Sequence, residues 1–205
     1  QFYKYYTKKG DKEEFIKRWK TLEEQAAKIF NPISGSSMDE LFTRYMYYER
    51  ACQKIKLSTT EALRKFYEKD SYALLHKDNT LDNLEALSNF WNDVSNQDKE
   101  KFSDEVLRRL YVLNYAPNGM WNYFTSVYFM QNKDAGGKLD DEKFCAFLTK
   151  ITAFIWAYAI TNPGVNALRI PVYAEMVKLI EGKDIEFADF KFESSTVKSM
   201  FNNYN

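Results

Sequence analysis

Residues 140–160 read DDEKFCAFLTKITAFIWAYAI. Phe144, Phe147, Leu148, Ile151, Phe154, Ile155 and Tyr158 recur at helical spacing, and the two leading acids suit a helix N-terminus, which favours negative charge. From Ala153 to Ile160 the run is apolar on nearly every side, which predicts a helix at the centre of the molecule. Thr161-Asn162-Pro163-Gly164 terminates it. Such a helix needs helical neighbours to cover it, and the rest of the chain supplies them.

The same periodicity runs along most of the sequence, broken at recognisable caps. A first helix is predicted from Asp11 to Phe30, on Phe15, Trp19, Leu22, Ala26 and Ile29, ended by Asn31-Pro32. After the Ser34-Gly35-Ser36-Ser37 loop, Ser37 and Glu40 fit a capping box, and Leu41, Tyr45, Tyr48, Cys52 and Ile55 share a face. Ser58 with Glu61 opens a shorter helix presenting Leu63, Phe66 and Tyr67. Asn79 precedes a fourth, on Leu81, Leu84, Leu87, Trp91 and Val94. A fifth spans Gln97 to Leu113, and a sixth begins after Asn118. Beyond the 140–160 helix, another extends to Ile180, stopped by Gly182, and a last short one follows Ser195. The fold class is all-α: an irregular multi-helix bundle of about eight or nine helices. The Asp134–Lys138 stretch, with its Gly-Gly pair, marks a seam between two packed subdomains, helical over residues 1–133 and over 134–205, the second ending in an aromatic-rich tail. Trp19, Trp91, Phe154 and Trp156 are predicted to be buried.

Composition narrows the chemistry. There is one histidine, His76, beside 16 Phe, 15 Tyr and 4 Trp, so no two-histidine site can form and packing material is abundant. Seven Gly and four Pro are too few for a turn-rich β-sandwich or a doubly wound α/β fold. Equal numbers of basic and acidic residues, 29 each, create no global field toward nucleic acid or membrane. Locally the first twenty residues are basic, whereas residues 78–98 hold Asp78, Asp82, Glu85, Asp93 and Asp98 and no base; both read first as solvated faces. Cys52 and Cys145 form no C-x-x-C and read as two buried thiols in a reducing cytoplasm. The uncharged run from Leu110 to Asn132 has the length of a membrane span, but its Asn114, Pro117, Asn118, Gly119 and Asn122 read as a turn between two buried helices. No membrane partner is expected.

Motifs for catalysis fail on inspection. Gly136-Gly137-Lys138 lacks the glycine and hydroxyl that a phosphate loop needs at Asn132 and Leu139. Asp140-Asp141 has no second acidic cluster on a facing segment, and a bundle-type di-iron site needs more than one histidine. His76 reads as a surface or hydrogen-bonded polar residue, and the pairs Tyr5-Tyr6 and Tyr47-Tyr48 as core or contact residues rather than base-stacking platforms. No catalytic, cofactor-binding or metal-ligating residue is assigned, and no cofactor is implied.

Several stretches carry a resemblance: Phe15-Ile-Lys-Arg-Trp19, Asp39-Glu-Leu-Phe-Thr-Arg-Tyr45, Glu61-Ala-Leu-Arg-Lys-Phe-Tyr67, Leu81-Asp-Asn-Leu84 with Phe90-Trp91, Leu107-Arg-Arg-Leu-Tyr-Val-Leu113, and Thr161-Asn-Pro-Gly-Val-Asn-Ala-Leu168. In this order they resemble the central helical region of the GmrSD-type, modification-dependent restriction proteins of bacteria. The resemblance implies a helical middle between a nucleotide-handling domain with a D-G-Q-Q-R signature and an HNH-type nuclease that holds its metal with His and Asn. This chain contains no D-G-Q-Q-R and one His, so no catalytic residue carries over. It implies instead a noncatalytic domain cut from a longer protein, with the nuclease part beginning near Phe201 and the flanking domains of the same polypeptide as partners. The start at Gln1, with no Met or apolar signal segment, agrees with a processing boundary and a cytoplasmic protein. A free-standing protein-interaction module is the alternative. If DNA is touched, the expected contacts are to phosphate from Lys8, Lys9, Lys17 and Arg18, opposite the Phe15–Trp19–Leu22 stripe. Four such contacts imply a salt slope of about −3.6.

Overall fold

The computed structural model describes residues 1–10, 12–32, 35–161, 168–169, 171–188 and 190, without the side chains of Lys9 and Thr161. The described residues form nine α-helices and no strand: α1 (Phe2–Lys9), α2 (Lys12–Ile29), α3 (Ser37–Cys52), α4 (Leu63–Glu68), α5 (Thr80–Ser95), α6 (Asp104–Leu113), α7 (Met120–Asn132), α8 (Asp141–Thr161) and α9 (Val172–Ile180), with a 3₁₀ segment, Lys69–His76, between α4 and α5. The all-α bundle expected from periodicity is what forms. The expected helix after Ser195, the turn at residues 162–167 and most of the aromatic tail lie outside the described residues.

Helix starts differ from the sequence expectations where two caps compete. Ser36, not Ser37, caps α3: its hydroxyl accepts from the Asp39 amide, and the Asp39 carboxylate accepts from the Ser36 amide. Ser37 turns back to donate to the Phe30 carbonyl (2.8 Å), and Glu40 is held by Arg44, so neither is left for capping. Glu61 likewise pairs with Lys69 instead of closing a box with Ser58, and α4 begins without a side-chain cap. The fifth predicted helix starts later than Gln97; Ser103 caps α6 by accepting from the Val106 amide. α1 was not expected. Phe2 pulls it down, its ring set against those of Phe15, Trp19 and Phe42. Gly182, at φ +71°, ends α9 as expected: its amide reaches the Leu179 carbonyl and the Lys183 amide reaches that of Lys178, the paired bonds of a Schellman turn.

Helix α7, not α8, occupies the centre. Every residue from Met120 to Met130 except Asn122 and Tyr123 is buried, whereas α8 leaves Trp156 38% and Ile160 52% exposed. Trp156 was expected inside. It lies outside because the α7 rings cover the Phe144–Phe147 side of α8 and α6 runs along its Asp141–Cys145–Thr149 edge, leaving the face that carries Trp156 and Ile160 exposed. Trp91 and Phe154 are buried as predicted; Trp19 is half-buried against the core. α8 is the one helix among the described residues long and apolar enough to cross a membrane, and Phe144, Phe147, Leu148, Ile151, Phe154, Ile155 and Tyr158 all lie in the core.

Neighbouring helices lock by aromatic contact. Phe90 stacks on Phe129 (4.3 Å), Trp91 meets Trp121 edge-on and donates its indole N–H to Ser126 Oγ (2.9 Å), and Tyr128 stacks on Phe147 (4.1 Å). α6 runs parallel to α8: Ser103, Glu105 and Arg109 meet Asp141, Cys145 and Thr149 in order. The Asp134–Lys138 stretch is a surface turn, and the apolar cluster from Phe2 to Phe187 holds residues from both sides of it. The two thiols expected inside are not: Cys52 is exposed and Cys145 half-buried, with no disulfide.

One backbone feature stands apart. Asp70, Ser71 and Tyr72 are three consecutive non-glycine residues in the left-handed region, φ 48°, 55° and 68°. Each costs roughly 1–2 kcal/mol relative to a right-handed conformation, so the packing on either side must hold the turn in place.

Candidate functional site

The basic N-terminal face divides when its residues are placed. Lys8 on α1 and Lys17 on α2 are exposed, whereas the Lys9 side chain lies outside the described residues. Arg18 does not face solvent beside them. Its Nε donates to Glu85 Oε1 (2.8 Å) and its Nη2 to Glu85 Oε2 (2.6 Å), with Asp82 closing on the same nitrogen. The hydrogen bond to Glu85, then that to Asp82, pushes the guanidinium pKa above its usual value against the effect of partial burial. The basic opening and the acidic run therefore meet: two charge patterns that read as solvated faces form one seam between α2 and α5, continued by Gln25 donating to Asn89 (3.0 Å). The exposed side of α2 also carries Glu13, Glu14, Glu23 and Glu24, and Lys20 pairs with Glu24. The face is mixed in charge, not basic.

Charge buried along α3 was not anticipated. Arg44 is 8% exposed; Nε donates to Glu40 Oε1 (2.9 Å), and the guanidinium lies 4.1 Å from the Trp91 ring centre and 4.7 Å from that of Phe30. Burial pushes its pKa down, while Glu40 and Tyr123 pull it back. Tyr123 donates to the other Glu40 oxygen (3.3 Å), and burial, with Glu40 beside it, pushes that hydroxyl up to about 12. Arg44 Nη1 has no partner. One turn on, Glu49 accepts from Lys77 (2.7 Å), and Arg50 donates to the Leu57 carbonyl (2.9 Å). On α9, Glu175 accepts from Lys178 (2.8 Å) and from the Glu186 amide (3.0 Å). The sequence signal was the i, i+4 pair Glu40–Arg44, hidden because α3 is buried on more sides than one stripe can show.

The rejected motifs have structural places. The Asp134 carboxylate accepts from the amides of Gly136 and Lys138 (both 2.8 Å), which lowers its pKa and engages the N–H groups a phosphate would need. This turn borders a groove of about 570 Å³ against α5, where Asp93 and Glu100 stand near Lys101, Lys133 and Lys138. Asp140 accepts from the Lys143 amide and Asp141 from the Ser103 amide, so both acids organise the start of α8. His76 is half-buried with Tyr5 stacked on it at 4.0 Å. Tyr6 stacks on Phe15, and Tyr47 on Tyr123. Among the described residues no group of three or more His, Cys, Asp or Glu could hold a metal ion.

No family model matches the chain, and neither a curated protein nor a solved structure matches it.

Proposed function

We propose that this chain is a noncatalytic helical domain of a bacterial restriction or phage-defence protein, spacing and coupling a nucleotide-handling domain and a nuclease domain on either side of it. The reading starts from the resemblance of the Phe15–Trp19, Asp39–Tyr45 and Leu107–Leu113 stretches. The observation that carries it is mechanical. A single apolar cluster from Phe2 to Phe187, pinned along α3 by the enclosed Glu40–Arg44 pair and by buried Glu49 held by Lys77, makes a body that passes a displacement from one end to the other instead of absorbing it. A spacer needs that property. Reading the coding sequence on both sides is the direct test: a D-G-Q-Q-R upstream and an HNH pattern downstream support the proposal, and stop and start codons at these positions sink it.

DNA contact, within this reading, falls to Lys8, Lys9 and Lys17, because Arg18 is committed to Asp82 and Glu85. Three phosphate contacts give a salt slope of about −2.7, so duplex binding by the isolated chain is weak at physiological salt. Fluorescence anisotropy at low salt, comparing the native chain with one carrying Gln at those three positions, tests it; equal affinities remove this face. A second reading, a protein-interaction module, is favoured by the exposure of Tyr111, Tyr115, Trp156 and Ile160. Complementation of the parent protein by a Trp156→Glu, Ile160→Glu chain distinguishes it: full activity removes that surface.

A further inference from the structure

Beneath the left-handed turn lies a cavity of about 370 Å³, at the small end of the range of ligand pockets. Phe42, Tyr67 and Tyr72 supply aromatic walls, Leu63 and Leu75 aliphatic ones, and Gln1 lies alongside. Tyr67 is fixed: it donates to the Phe42 carbonyl (3.2 Å) and meets the Phe42 ring edge-on. Tyr72 projects from the strained turn itself. Left-handed non-glycine residues persist where surrounding structure over-determines them, and they concentrate at ligand clamps. At the mouth, Arg64 and Glu68 sit one helical turn apart on α4. Neither has an ion pair in the described structure, although residues at this spacing can reach one another.

We propose that this pocket binds an aromatic amino acid as its zwitterion, with the ring between Tyr67 and Tyr72, the carboxylate on Arg64 and the ammonium on Glu68. A depression with aromatic and aliphatic walls, whose rim carries the exposed Arg64 and Glu68 with no ion pair to either among the described residues, complements a ligand that carries a ring and two adjacent opposite charges. A purely apolar ligand would leave both charges idle, and an aromatic anion would meet Glu68. The strained turn fits as a preformed wall, since a clamp already set in its bound shape loses little freedom on binding. This site is independent of the spacer reading.

The test is isothermal titration of the full chain with three probes: L-phenylalanine, N-acetyl-L-phenylalanine, which lacks the ammonium, and L-phenylalaninamide, which lacks the carboxylate. L-phenylalanine is expected to bind saturably, and each of the other two about tenfold more weakly, the loss of one charge-assisted hydrogen bond. Arg64→Gln should weaken L-phenylalanine by about the same factor yet leave the amide unchanged, and Glu68→Gln should do the converse with the N-acetyl form. Leu63→Trp, which fills the cavity, should abolish binding while circular dichroism stays native. No saturable heat from L-phenylalanine overturns the proposal, as does equal binding by native and Leu63→Trp chains. Equal affinity of all three probes overturns the zwitterion assignment and with it the roles of Arg64 and Glu68.

Discussion

The seam between α2 and α5 and the seam between α3 and α7 are each centred on an arginine paired with glutamate, and they differ in solvent. Arg18, at one third side-chain exposure, bonds two carboxylates that water can also reach. Arg44 has one carboxylate, Glu40, and three aromatic rings, and its side chain is 9% exposed. The first seam can lose its ion pair and hydrate what remains; the second cannot. Burial, more than the count of hydrogen bonds, decides what an arginine is worth here.

The sharpest way to break this comparison is to truncate both arginines. Arg44→Ala should cost about 3–5 kcal/mol, because Glu40 stays behind as a part-buried unpaired charge; urea denaturation measures it, and a loss below about 1 kcal/mol would equate the two seams. The double change Arg44→Met, Glu40→Met should recover most of that loss, since removing both charges together removes their desolvation cost, the stranded carboxylate and the orphaned Nη1. Trp91→Ala belongs to the same large class, about 3–5 kcal/mol, as it empties core volume and frees Ser126. Trp156→Ala, on the exposed face of α8, should cost under about 1 kcal/mol by the same measurement.

Smaller effects sharpen the surface side of the contrast. Arg18→Gln should cost no more than about 1 kcal/mol, and the difference should shrink as salt rises from 0.05 to about 1 M. For Asp134 the sign follows from its lowered pKa. A carboxylate depressed in the folded state stabilises it above the ordinary aspartate value, and that contribution disappears as pH falls through the lower, folded value. The amide resonances of Gly136 and Lys138 should therefore titrate with a midpoint below that of an ordinary aspartate; a midpoint at or above it would mean the turn is not held by the carboxylate.

Much of the fold was legible because helix formation here is local. Leu81, Leu84, Leu87 and Trp91 are buried on the stripe their spacing predicts, and Gly182 closes α9. What failed needed a neighbour to decide it. Ser36 and Ser37 both precede a suitable acid, and only the demand of Arg44 for Glu40 and of the Phe30 carbonyl for a donor selects Ser36. The cavity by Tyr72 left no trace in the pattern, because it depends on three left-handed residues whose types, Asp, Ser and Tyr, announce no such turn.

By itself the sequence determined an all-helical chain, where most of its helices lie, and a chemistry confined to one histidine, since propensity, capping and composition act within a few residues of one another. Only the tertiary structure decided that α7 takes the centre and α8 shows Trp156 to solvent, that Arg18 is matched to Asp82 and Glu85, and that Arg44 is enclosed by Phe30, Trp91 and Tyr123. Hydrophobicity states how much surface a helix must hide. It does not state which neighbour will hide it, because that depends on contacts between residues far apart in the chain.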